Sequence, residues 1–278
     1  MKLFHYDDAA KFLKHAKHFL EAQEAENNLI LGVCSWFAAH PERIKQTPYF
    51  AIVEENKRIE AAAMMTPPHK LVLTRAKAEI LGVLVNDLLQ RRVVLPGVNG
   101  PGQTSLAFAK RWAKKKRCTY RLRRSLRIYQ LSHVTPPRPV SGRMRLGLAM
   151  DKDVMVEWTE NFGKDIGEPQ SKEEAAETVE QLVKDERLYV WDDDGLRSIA
   201  TWTGPTTHGV RIGLVYTLPE FRCKGYASAC VAALSRAMLN SGRRFCYLFT
   251  DLSNPVSNRI YRRIGYVPVC DFVEYQFT

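Results

Sequence analysis

The chain has 278 residues, 45% apolar and 26% charged, with a net charge of +11 at pH 7. That length suits two domains or one large one, and the near-average composition, with no Gly, Ser or Gln tract, excludes a long disordered segment. Six scattered cysteines, without a CxxC or a His pair at zinc spacing, exclude a disulfide framework and a structural metal, while the positive excess favours anionic partners without choosing among nucleotide, acidic substrate and nucleic acid.

The amino terminus, MKLFHYDDAAKFLKHAKHFLEAQEAEN, breaks its apolar positions with Asp, Lys, His and Glu every few residues. It therefore reads as neither a signal h-region nor a membrane span, and a cytoplasmic protein with no membrane partner is expected. In chain order, a strand at KLFHY precedes a helical region from Asp8 to Phe37, where Asn27 and Asn28 predict a break. Strands are expected at YFAIVEE, RIEAAAMMT and KLVLTR, then a helix over 76–91, a glycine loop VLPGVNGPGQ and a helix over 104–116.

Ala109 to Arg127 holds ten Lys or Arg among nineteen residues and no acid. It fits either an RNA or DNA contact or a solvated helix face followed by a strand that turns Tyr120 and Leu122 inward; the second is preferred, because no nucleic-acid module accompanies the charge. SHVTPPRPVSG, 132–142, is the best linker.

Beyond the linker the order repeats. A strand at MRLGLAM leads to helices from Asp151 and Ser171, the latter with Glu174 in a capping box. Strands follow at LYVWDD, LRSIATWTG and VRIGLVYT, then a helix from Gly225 to Asn240, a strand RFCYLFTD, a short helix NPVSNRIYRRIG and a last strand pair at VPVCDFVEYQF. The shared order of the halves suggests internal duplication. The mixture predicts an α/β or α+β mixed sheet, with domains over 1–138 and 139–278.

Two stretches of the second half carry chemistry. PEFRCKGYAS sets Arg222, Gly225 and Ala227 between a strand and a helix, where free backbone amides, the helix dipole and the charges of Arg222 and Lys224 favour a diphosphate. In TDLSNPVSNRIYRRIGY, Asn254 suits the N-cap, Pro255 the first turn and Gly265 the stop. Val256, Ile260 and Ile264 then form a core stripe, with Ser257 and Tyr261 on the one beside it.

Together V-x-T-x-P-E-x-R-x-K-G-x-A-S and N-P-x-S-N-x-I-Y-x-x-I-G-Y resemble the GNAT (Gcn5-related N-acetyltransferase) superfamily, strongly from Val210 onward and by element order over 143–209. The resemblance implies two tandem GNAT-like domains, each a mixed central sheet flanked by helices, and an acetyl-coenzyme A-dependent N-acetyltransferase. It places the pantetheine arm against Val215, Tyr216 and Thr217, and the diphosphate on Arg222, Cys223, Lys224, Gly225, Tyr226, Ala227 and Ser228. It sets Asn254, Ser257 and Asn258 at the cofactor and Tyr261 beside the thioester sulfur as the catalytic residue. The acceptor would be a small-molecule or peptide amine. Asp251, Glu220 and His208 are the candidate general bases by position in sequence alone.

The first half keeps a G-x-x-G-x-G rhythm at Gly97, Gly100 and Gly102, with Pro101 lacking an amide and no N-x-x-S-N-x-I-Y after it. It is expected to be a degenerate copy that walls the acceptor cleft or makes a homodimer contact. The alternative to an enzyme is a non-catalytic protein that binds acyl-coenzyme A, or nucleic acid through 109–127.

Overall fold

The computed structural model describes residues 1–278. The first half runs β1 (Lys2–Tyr6), α1 (Ala9–Glu21), α2 (Glu24–Ala39), β2 (Tyr49–Glu55), β3 (Arg58–Met65), β4 (Leu71–Leu73), α3 (Ala78–Gln90), β5 (Gly97–Pro101), α4 (Gly102–Lys116) and β6 (Tyr120–Leu131). The second half repeats that order as β7 (Arg143–Leu146), α5 (Lys152–Asp165), α6 (Lys172–Lys184), β8 (Leu188–Asp192), β9 (Leu196–Thr203), β10 (Gly209–Thr217), α7 (Tyr226–Asn240), β11 (Phe245–Asp251), α8 (Pro255–Ile264) and β12 (Val267–Phe277). No helix is long and apolar enough to cross a membrane.

All twelve strands join one mixed sheet, ordered β1-β2-β3-β4-β5-β12-β6-β11-β10-β9-β8-β7. Within each half the first four strands pair antiparallel and the fourth and fifth pair parallel. The sixth strands change places: β12, from the end of the chain, lies antiparallel to β5, and β6 lies antiparallel to β11. Down the middle β6 and β12 pair antiparallel from Val267↔Gln130 to Phe277↔Tyr120. The tandem α/β architecture is therefore present, with the two halves stitched into one sheet.

Helices cover both faces. α3 and α4 pack Leu84, Leu88, Phe108 and Trp112 on β2–β5, and α1 and α2 pack Phe12, Leu20, Ile30 and Leu31 on Phe50, Ile128 and Phe272. In the second half α7 and α8 cover Val210, Ile212, Cys246 and Leu248, while α5 and α6 cover Ile199 and Tyr216 on the other face.

Several local expectations are corrected. The glycine loop of the first half is the strand β5: a side chain at Gly97 would collide with the Tyr275 carbonyl, and one at Gly100 would come within 2.9 Å of the Leu73 carbonyl, so these glycines serve close strand approach. The counterpart of α7 is thus α3, reached from β4 through Thr74–Lys77. The helical break falls at Ala22 and Gln23, because Asn27 and Asn28 turn their amides onto the carbonyls of Leu20 and Ala25 inside the helix pair. The last strand pair is one long strand, β12, bent by irregularities at Pro268/Cys270 and Glu274/Tyr275.

The inward set on β6 fails at its start, where Leu122 is 57% exposed. There Arg124 is drawn inward by Glu274, which is 2% exposed and accepts a 3.1 Å bond from Arg124 Nη2. Lys70, before β4, brings a second cation to 3.1 Å and Glu168, after α5, also holds Arg124, so this cluster ties elements of both halves to the exchanged strands. Losing the carboxylate takes from Arg124 and Lys70 the one buried acid that they share. Glu274→Ala is expected to lower stability by about 3 kcal/mol, and heat unfolding of the native chain is expected to be one transition, with calorimetric and van't Hoff enthalpies equal, rather than one for each half.

Candidate active site

The site grows from a gap in the sheet. β10 pairs with β11 only at Gly209↔Phe245, Val210↔Cys246 and Arg211↔Tyr247, so from Ile212 to Thr217 its β11-facing edge has no strand partner. β11 stays on β6 as far as Asp251. The parallel strands therefore splay into a wedge. Where it opens, the β9–β10 register slips between Gly213 and Tyr216, and Leu214 is held at φ +45°, a left-handed conformation costly for a branched side chain. Beyond the slip, Tyr216 packs on Trp158 of α5 with ring centroids 6.0 Å apart, Thr217 is buried, and Val215 packs toward α7.

At the mouth of the wedge the chain turns from β10 to α7. Cys223 has φ +64° and Gly225 φ +96°, and a side chain at Gly225 would come within 2.8 Å of Val140 Cγ1 in the linker. The Arg222 amide bonds the Pro219 carbonyl and the Ala229 amide bonds that of Gly225. Between them the six amides of Cys223, Lys224, Gly225, Tyr226, Ala227 and Ser228 meet no protein acceptor. Six consecutive free N–H groups at a helix N-terminus form an anion nest that could hold a group such as a diphosphate.

The side chains of this loop mostly build it. Arg222 donates from Nε to the Thr217 carbonyl at 3.0 Å and from Nη2 to Asp165 at 2.8 Å, so its charge closes the turn against α5. Tyr226 donates to Asp193 at 2.6 Å, a carboxylate also held by Ser141 and kept below its usual range by these hydroxyls. Lys224 lies with Nζ 5.2 Å from the Phe221 ring centre. Neither Asp165 nor the Asp193–Ser141 latch is marked by any local motif.

The second motif lies across the wedge. Asn254 caps α8 by accepting the Ser257 amide at 3.0 Å. Asn258 donates to the carbonyls of Asp251 and Asn254 and accepts from Tyr129, so its amide is committed to fastening α8 to β11 and β6. Ser257 keeps its hydroxyl free of protein partners. Tyr261 is 8% exposed, meets Tyr266 edge-on at 6.0 Å, and has its phenol pushed up to about 12 by burial. Its hydroxyl makes no hydrogen bond within the protein, unlike that of Tyr266, which pairs with Ser235 at 2.8 Å.

Of the candidate bases, Asp251 stands at the end of β11 and is engaged by Ser253, and Glu220 is exposed. His208 sits at the opposite end of β10, bound to Glu24 at 2.6 Å. Cys230 and Cys246 are fully buried with thiols pushed up to about 12, which fits core residues and not acyl carriers.

The FR47-like protein family matches residues 192–273, the segment holding the wedge, the nest and α8. No curated protein matches the chain. Among solved structures it is similar to a Drosophila protein at TM-score 0.73 and 15% identity, covering 99% of this chain and 98% of that one. It is also similar to a GCN5-related N-acetyltransferase from Sphaerobacter thermophilus at TM-score 0.65 and 18% identity, over 98% and 94%. A tandem GNAT protein from the clavulanic acid biosynthesis pathway matches at TM-score 0.57 and 12% identity, over 99% and 98%. The chain thus carries the GNAT fold in tandem, and residues 192–273 match the FR47-like family model.

Proposed function

We propose that the protein is an acetyl-coenzyme A-dependent N-acyltransferase that works from residues 139–278 and moves an acyl group from the thioester to a primary amine by direct attack in a ternary complex. The observation that carries this reading is the run of six unpartnered amides over 223–228, opening onto a wedge between parallel strands. The first half, residues 1–138, is on this reading a non-catalytic copy. Its β4–α3 connection, Thr74–Lys77, has no glycine and no positive φ, and the Ala76 amide is taken by Thr104.

Coenzyme A would supply an acyl thioester. The nest would hold its diphosphate, and the unpaired edge of β10 around Val215, Tyr216 and Thr217 would receive its arm. Attack forms the N–C bond, and collapse breaks the C–S bond and releases a thiolate. Amides on the same edge stabilise the charge on the carbonyl oxygen between these two events. An acceptor arriving as an ammonium loses a proton before attack, and the nitrogen sheds a second once the N–C bond has formed, each to solvent or to a base reached through water. Tyr261, with a phenol near 12 facing a thiol near about 8.5, keeps its proton and acts by donating a hydrogen bond to the departing sulfur. Asn254 retains its Nδ2 for the ligand.

The nucleic-acid alternative is not favoured. α4 turns Phe108 and Trp112 into the core and its lysines to solvent, and further along Arg124 and Arg127 are taken by Glu274 and Asp271.

Saturating acetyl-coenzyme A, at a hundredfold over its dissociation constant, is expected to stabilise the protein by about 2.7 kcal/mol, read as a rise in Tm. Gly225→Val is expected to abolish the rise, since it both forbids φ +96° and strikes Val140. In steady-state kinetics, Tyr261→Phe is expected to lower kcat about 10- to 100-fold while acetyl-coenzyme A affinity changes less than about twofold. With Tyr261 ionising only near 12, the wild-type rate is expected to rise with pH as the amine deprotonates and to show no fall below about pH 11. A loss of rate centred near pH 10 would mean an unburied Tyr261.

A further inference from the structure

Arg211 stands at the base of the wedge, at the last residue where β10 and β11 still pair. Val210 and Ile212 face α7, so alternation turns Arg211 to the opposite face of the sheet, the one that α5 covers at Tyr216. α2 of the first half closes the same region. A Cβ at Gly32 would lie 2.6 Å from the Gly204 Cα, and one at Gly204 would lie 3.2 Å from Arg211 Nη1, so two glycines let α2 come down on the β9–β10 turn and leave room for a guanidinium beneath it.

That guanidinium has no partner. Arg211 makes no hydrogen bond and no ion pair with the protein, Nη1 is sealed from solvent, and burial alone pulls its pKa down to about 10, with no acid counteracting it. Glu24, the acid that opens α2, is spent on Thr206 at 2.5 Å and His208 at 2.6 Å. Tyr247, beside Arg211 on β11, is turned toward Glu24 instead, which helps raise its phenol. Nε and Nη2 also lack protein partners but are not sealed, and Arg211 as a whole is half-buried, so two donors of a planar fork stay accessible. A half-buried cation with a sealed, unpartnered nitrogen and no counter-charge is costly unless something supplies the charge, and a guanidinium fork matches a carboxylate.

We propose that Arg211 receives a carboxylate carried by the acceptor, so that the substrates acylated here are amino acids or other amines bearing a carboxylate close to the nitrogen. This rests on the acyltransferase reading above. The carboxylate belongs to the acceptor and not to the acyl donor because the nest lies at the start of α7, on one face of the sheet, and Arg211 opens toward the other.

The test compares amines that differ only by a carboxylate in place of a methyl group: alanine against isopropylamine, and β-alanine against propylamine, each with acetyl-coenzyme A. At least one carboxylate-bearing member is expected to have kcat/KM about 100-fold above its partner, and Arg211→Met is expected to bring the ratio near one, chiefly through the acceptor KM, with acetyl-coenzyme A affinity unchanged. Because Arg211→Met removes an unpaired, half-buried charge, its Tm is expected to match or exceed that of the wild type, so a lost preference is not lost folding. Binding of the products N-acetylalanine and N-acetyl-β-alanine, measured by calorimetry, supplies a readout without turnover. At least one is expected to bind the wild type about tenfold or more tighter than Arg211→Met.

Preference for the plain amines, ratios that survive Arg211→Met, or product binding indifferent to Arg211 would each overturn the proposal. A carboxylate preference that appears only when succinyl-coenzyme A replaces acetyl-coenzyme A would overturn the acceptor assignment. If acetyl-coenzyme A fails to bind, the acyltransferase reading falls by itself, and Arg211-dependent product binding still decides the carboxylate site.

Discussion

Two strands that change places hold this molecule together. Each half has five strands in the same order and sense, and each takes its sixth from the other: β12 completes the first half beside β5, and β6 completes the second beside β11. The two meet along eleven residues of β12, with Ile128 and Phe272 buried between α2 and the sheet. A strand pair at the centre of a sheet is shielded on both edges, so this exchange removes two exposed edges and makes neither half complete alone.

The geometry of the candidate site follows from that exchange. Placing β6 against β11 fixes one wall of the wedge along its whole length, while β10 leaves the pair after Arg211 and is bent by the slip at Leu214. Placing β12 between the halves carries α2 across to the β9–β10 turn, where Gly32 meets Gly204. A helix of the first half thereby borders the base of a wedge built by the second. Leu214 in a left-handed conformation costs about 1–3 kcal/mol, and Arg211, half-buried with one nitrogen sealed and no counter-charge, adds to that cost. Both lie within a few residues of the point where the strands part, which is where a ligand would repay them.

The second half was legible because its signals are local. Ser171 with Glu174 does form a capping box, Asn254 does cap α8, and Gly265 does take a left-handed conformation, since each depends only on neighbours a few residues away. The first half was harder. β5 is written Gly-Val-Asn-Gly-Pro, a composition that reads as a loop, and only the nearness of Tyr275 and Leu73 explains why a strand needs glycine there. Leu122 and Arg124 exchange their expected environments because Glu274, 150 positions away, waits beside the strand. Arg211 carried no signal in VRIGLVYT, where one charge in an alternating strand reads as solvated; its enclosure needs α2 and a glycine from each half.

On the proposed function, the amides of Cys223 to Ser228 receive the diphosphate of acetyl-coenzyme A. Hydrogen exchange, followed peptide by peptide with and without saturating acetyl-coenzyme A, tests it most directly. Slowed exchange over 222–229, with no change over 74–80 at the corresponding turn of the first half, is the predicted result. Unchanged exchange over 222–229, or protection confined to the first half, would contradict it.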